Sequence, residues 1–256
     1  MEISRFMERM WDQGQQRLAE GRYVAARTDL EAAEKLAWRR REAGALARMY
    51  LPLLEVRRQI RYLAVEGKIV IGAPSNSVVR ECSNAPAGTM LIEARAGDAF
   101  KALQLAERTR MDARRGGRCL ESLLLVHRGN ESRLTSPADP LFAAGIPVAW
   151  SPDGSGTIAD STNTDFIAPL PPAGVYDRQT AGAGERARES LLMAWEALGL
   201  KWQRRHPFVV RRGGTSPTEA AWRELEWLRQ GLRIDPASEP ISMRLISLAE
   251  SIARLA

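Results

Sequence analysis

GQQRLAEGRYVAARTDLEAAEKL, residues 14–36, carries two helical stripes separated by a turn signal. Gly14 and Leu18 belong to the first, and Tyr23, Ala26, Leu30, Ala33 and Ala37 to the second, at the three- and four-residue spacings that line one helix face. Gly21 between them predicts the turn. Working outward, Phe6, Met7, Met10 and Trp11 extend the first stripe towards the N-terminus. Ala43, Ala47, Leu51 and Leu54 begin a third, which continues through EVRRQIRYLAVEG. Pro52 lies inside that third stripe and predicts a bend or a restart there. Residues 1–66 therefore read as a helical segment, closed by Gly67.

Residues 14–36 resemble one tetratricopeptide repeat, a pair of antiparallel helices about 34 residues long. Gly14 takes the place of the small residue where the second helix crosses the first closely. Gly21 and Tyr23 sit at the turn, and Ala26, Leu30 and Ala33 take the small-large-small positions of the second helix. Gln13 and Arg17 stand where the family has apolar or aromatic residues, and Trp38 where a proline commonly ends the unit. A partial echo follows at residues 225–255, where Leu232, Ile234, Asp235 and Pro236 resemble the end of a repeat. Leu245, Leu248, Ile252 and Leu255 then line a closing helix. The helix before it has a clear start, because Ser216-Pro217-Thr218-Glu219 is a capping box with proline at the first helical position. The resemblance implies a non-enzymatic interaction or scaffold protein that docks a peptide or protein partner on helix faces. Arg39, Arg40, Arg41, Arg57, Arg58 and Arg61 are the candidate protein-binding residues, offering cationic contacts to an acidic segment.

Between the helical ends the period changes. Lys68–Gly72 and Thr89–Glu93 are short apolar runs that read as buried strands, and Leu120–Val126 and Ile146–Trp150 as two more. Asp98 is a candidate cap for a helix bearing Ala99, Leu103 and Ala106. Residues 67–150 thus form a small α/β segment. A helix with Leu191, Ala194, Trp195 and Leu198 opens a helical C-terminal segment over 185–256, and Phe208–Val210 reads as a further strand entered through Pro207. Residues 151–184 are rich in Ser, Gly, Pro and Asp, and 134–177 contain no Lys or Arg. They read as a flexible acidic loop or linker. The fold class that results is helix-rich α+β or α/β, with helical hairpins at both ends around a small sheet.

Composition narrows the function classes. The chain has 256 residues, 45% hydrophobic and 27% charged, with a net charge of +6, which excludes wholesale disorder. No apolar run approaches the roughly 20 residues needed to cross a bilayer, so no membrane partner is expected. The start, MEISRFMERMWDQG, lacks the pattern of an export signal, and the expected location is cytoplasmic. Cys82 and Cys119 show no CxxC spacing, and His127 and His206 show no HExxH. No catalytic residue, metal or cofactor is assigned.

Two alternatives remain open. Only Lys35, Lys68, Lys101 and Lys201 among the basic residues are lysine, the rest being arginine. Lys201, Arg204, Arg205, Arg211 and Arg212, interleaved with Trp202 and Phe208, are therefore candidate nucleic-acid contacts. The loop Gly72-Ala73-Pro74-Ser75-Asn76-Ser77 follows a strand and could offer backbone N–H groups to a phosphate in an α/β enzyme. It matches neither GxGxxG nor GxxxxGK[ST], and the residues favour a structural turn.

Overall fold

The computed structural model describes the chain except residues 1, 76–79, 83, 96, 139–144, 151–155, 161–162, 171, 178–179, 181, 206, 209–215 and 256, and without the side chains of 2–3, 150, 156–160 and 163–169. Helices α1 (Glu2–Ala19), α2 (Tyr23–Arg40) and α3 (Ala43–Glu66) open the chain. Strands β1 (Lys68–Gly72) and β2 (Ala87–Ala94), helix α4 (Ala99–Arg115) and strands β3 (Cys119–Arg128), β4 (Glu131–Thr135) and β5 (Ile146–Trp150) follow. Strands β6 (Gly156–Asp160), β7 (Asn163–Leu170) and β8 (Gly174–Tyr176) precede helices α5 (Ala183–Arg205), α6 (Pro217–Ile234) and α7 (Glu239–Leu255). The chain divides into two compact units, one of residues 1–59 with 206–256 and one of residues 60–205.

In the first unit α1 and α2 form a hairpin turned at Gly21, whose φ of +72° suits glycine. A methyl group at Gly14 would lie 2.7 Å from Leu30 Cγ, so the two helices cross where only a hydrogen fits. Arg41 joins α2 to α3 with φ +53°, a left-handed conformation that side-chain-bearing residues seldom adopt. Helix α3 runs through Pro52 as one continuous helix, so of the two outcomes expected there the restart is absent. The capping box is present at α6, where the Ser216 hydroxyl accepts a hydrogen bond from the Glu219 backbone N–H at 3.2 Å and Pro217 opens the helix. The helices of the two chain ends meet in this unit. Trp38 of α2 packs edge-on against Trp222 of α6 at 5.9 Å, and Arg58 of α3 pairs with Glu239 of α7 at 3.3 Å.

The second unit is built on one eight-stranded sheet in the order β7-β6-β5-β4-β3-β2-β1-β8. β1, β2 and β3 are parallel and the other pairs antiparallel. The parallel strands are the ones with unbroken apolar runs, as expected where both faces are covered. Met90, Ile92, Leu120 and Leu124 form one core layer with Ala102, Ala106 and Ala113 of α4, whose small side chains let the helix lie close to the sheet. Asp98 stands at the start of α4, but its side chain makes no capping hydrogen bond, contrary to expectation. Helix α5 packs against β1, β5, β7 and β8. Its Trp195, fully buried, lies under the Arg61 guanidinium at 4.4 Å. Gly67 marks the exit from α3, since a methyl group there would sit 2.3 Å from the Ala87 carbonyl oxygen.

The helix-rich α+β class and the hairpins at both ends follow the sequence reading, but the sheet is larger than expected and 151–184 is not a loop throughout. β6, β7 and β8 lie in that stretch, paired with β5, each other or β1. Their Gly, Pro and Asp content reads as loop because intrinsic strand preference is weak beside the pairing a neighbouring strand supplies. Pro169 in β7 is tolerated because β7 is an edge strand. The two units part at 59/60, inside α3, and at 205/206, the end of α5, so the last turns of α3 and the whole of α5 belong with the sheet. Val209 and Val210, read as strand, lie outside the described residues.

Replacing Gly14 by Val or Gly67 by Ala should each lower the unfolding free energy by about 1–3 kcal/mol, the usual penalty for overpacking. Urea denaturation measures it, and an unchanged midpoint would contradict the close approaches.

Candidate functional site

In the first unit, three helices converge on one buried carboxyl group. Glu34 of α2 is 7% exposed. Its Oε1 accepts a hydrogen bond from the Tyr50 hydroxyl of α3 at 2.6 Å and a longer one from Trp38 Nε1 at 3.1 Å. Trp38 Nε1 also donates to the Tyr50 oxygen at 2.8 Å, so one indole N–H serves two acceptors. Arg57 Nη2 stands 3.8 Å from Glu34 Oε2 and 3.7 Å from Glu31 Oε1, and Arg229 Nε of α6 stands 3.6 Å from Glu34 Oε1. These three are ion-pair contacts beyond ordinary hydrogen-bond length. The Arg229 guanidinium lies 4.7 Å above the Trp38 ring, and Arg41 lies 5.4 Å above Trp222. Cation–π stacking thus brackets the Trp38–Trp222 pair.

Above this network opens a cleft of about 660 Å³ lined by Glu31, Glu34, Lys35, Arg57, Glu226, Arg229, Gln230, Leu232 and Arg233. Arg57 is its best-placed cation. The side chain is only 11% exposed, and its Nε and Nη1 atoms are buried without a hydrogen-bond partner. Buried polar groups in native proteins are nearly always satisfied, so this guanidinium has spare donor capacity. Lys35 and Arg233 are exposed at the rim. Chemically, the cleft can take an anionic group against Arg57 and Arg229, with Glu31 and Glu226 also in its lining.

The six arginines expected to bind a partner do not form one face. Arg57 lines this cleft, and Arg41 lines a second of about 530 Å³ that also includes Trp222. Arg39 is exposed, Arg40 pairs with Glu42 at 2.6 Å, and Arg58 pairs with Glu239. Arg61 is buried in the second unit against Trp195 and is withdrawn as a docking residue, since guanidinium and indole cover one another. Lys201 and Trp202 of the basic segment are buried on the inner face of α5, which leaves Arg204 and Arg205 exposed at its end. Arg211, Arg212, His206, Asn76 and Ser77 lie outside the described residues. Sequence reasoning missed Glu34, Tyr50 and Arg229. Glu34 and Trp38 at i and i+4 gave a local signal, but nothing local aligns α6 with α2.

Among the described residues no group of three potential metal ligands gathers, and no helix is long and apolar enough to cross a membrane. No protein-family model, curated protein or solved structure matches the chain.

Burial first, and the neighbouring Glu34 second, push the Tyr50 phenol well above its ordinary value of 10.0. The folded protein therefore keeps a proton that the unfolded chain releases near pH 10, and this contribution to stability, complete below that pH, is lost as pH rises beyond it. In an ultraviolet titration Tyr50 should ionise only as the protein unfolds, and Tyr50→Phe should cost about 1–3 kcal/mol and remove that late step. A Tyr50 that ionises near pH 10 in the folded chain would contradict the network.

Proposed function

We propose that the chain is a protein-interaction protein of tetratricopeptide-like type, whose helical unit docks an acidic peptide segment without chemistry on the partner. The observation that carries this reading is Arg57, a nearly buried guanidinium with two unpartnered nitrogens at the floor of a cleft bordered by Arg229, Lys35 and Arg233. The α1–α2 hairpin, with its crossing at Gly14, and the α6–α7 hairpin supply the repeat-like frame. Helical repeats present such side chains on stacked faces. An acidic side chain seated against Arg57 gains charge-assisted hydrogen bonds in a partly desolvated setting, where they are stronger than at an open surface. The reading places the protein in the cytoplasm, where Cys82 and Cys119, both buried and outside any disulfide, stay reduced. Nucleic acid is the weaker alternative, because two members of the basic 201–212 segment, Lys201 and Trp202, are buried.

Fluorescence anisotropy with a labelled Asp/Glu-rich peptide, and with the same peptide carrying Asn/Gln instead, tests this. The acidic peptide should bind at least tenfold more tightly, and Arg57→Ala should weaken it by roughly tenfold, the scale of one charge-assisted contact. Equal affinity for the two peptides, or no effect of Arg57→Ala, would overturn the reading.

A further inference from the structure

A separate concentration of reactive groups lies in the second unit, at the end of the sheet where the parallel strands finish. The register brings Gly72 of β1, Glu93 of β2 with Arg95 just beyond the strand, and His127 at the end of β3 to that edge. β4 runs antiparallel to β3, so its first residues reach the same edge, and His127 stands directly opposite Ser132. The β3–β4 connection is a two-residue turn, Gly129-Asn130, with Gly129 at φ +59°. A glycine of positive φ in the first turn position matches the twist of the two strands and holds this register.

Side chains alternate across a sheet. Ile92, Ala94, Leu124 and Val126 belong to the layer with α4, so Glu93, His127 and its cross-strand partner Ser132 occupy the opposite face. His127 Nδ1 and Ser132 Oγ are 2.6 Å apart, and both residues are half-buried, hence within reach of a ligand. Glu93 is a diagonal neighbour of His127 in the register, and its Oε1 is buried with no hydrogen-bond partner. Burial first, and the positive charge of Arg95 second, hold His127 below its ordinary value, which keeps the imidazole in its basic form. A hydroxyl within hydrogen-bond reach of a neutral imidazole is the arrangement that activates a nucleophile.

We propose that Ser132 and His127 form an acyl-transfer pair that hydrolyses a small ester or thioester whose acyl group carries a negative charge facing Arg95. Ser132 Oγ bonds to the acyl carbon as its proton passes to His127 Nδ1. The bond to the leaving oxygen or sulfur then breaks, and the leaving group departs with that proton. Water next attacks the acyl-serine and gives a proton to Nδ1. The Oγ–acyl bond breaks, Ser132 regains its proton, and the products are one carboxylic acid and one alcohol or thiol. Arg95 orients the acyl group by its charge. This activity belongs to the second unit and does not depend on peptide docking by the first.

The test treats the full chain with a fluorophosphonate probe, which phosphonylates activated serines, followed by intact-mass analysis and peptide mapping. One adduct is expected, on Ser132, absent in Ser132→Ala and formed at least about 100-fold more slowly in His127→Gln, the scale of general-base assistance. Hydrolysis of p-nitrophenyl succinate should outpace that of p-nitrophenyl acetate, and Arg95→Gln should remove the difference. Circular dichroism checks that the variants fold, and the labelling of the unaltered chain is informative on its own. Absence of an adduct on Ser132 in that chain, or an equal rate in a folded His127→Gln variant, would overturn the assignment.

Discussion

The buried carboxyl group of Glu34 is the constraint on which the helical unit depends. An unpartnered charge at that depth would cost several kcal/mol, more than a domain of ordinary stability tolerates comfortably. The group is acceptable because α2 supplies Trp38, α3 supplies Tyr50 and Arg57, and α6 supplies Arg229, all within 4 Å of its oxygens. Three helices must therefore dock together, and one comes from the opposite end of the chain. The Trp38–Trp222 contact and the stacked arginines close the same junction. A polar network of this kind sets the alignment of the helices more tightly than interchangeable apolar contacts do.

That arrangement explains the organisation of the chain. Residues 60–205 interrupt the sequence of the helical unit, whose two parts, 1–59 and 206–256, fold as one body. The two partial repeat-like stretches seen in the sequence are thereby members of a single unit, not separate segments. The positive charge divides in the same way. In the helical unit Arg40 pairs with Glu42, Arg41 with Glu219, Arg57 with Glu31 and Glu34, and Arg58 with Glu239. Among the described residues, Arg57 combines a nearly buried guanidinium with two nitrogens that have no hydrogen-bond partner.

Much of the frame was legible because it is written in local signals. The helical stripes around Gly14 and Leu30, the turn at Gly21, the capping box at Ser216 and the apolar runs of β1–β3 each follow from spacing and residue chemistry. The misses are non-local. β6 and β7 have loop-like composition and acquire strand structure from pairing, and β4 was overlooked although Gly129-Asn130 is a hairpin signal. Arg57 is legible as a candidate binding residue, but Tyr50 and Arg229, which share Glu34 with it, are not, since that meeting depends on α3 and α6 both lying against α2. Arg61 and Lys201 were read as surface cations. Both are buried, Arg61 with its guanidinium over the Trp195 ring, which charge alone does not reveal.

The central claim is that the two chain ends form one helical body through the junction around Trp38. A double-mutant cycle in urea denaturation with Trp38→Leu, Trp222→Leu and the double variant tests it most directly. The account predicts a coupling energy of about 0.5–1.5 kcal/mol between two residues far apart in sequence, the value of an edge-on aromatic pair. Strictly additive losses would contradict it.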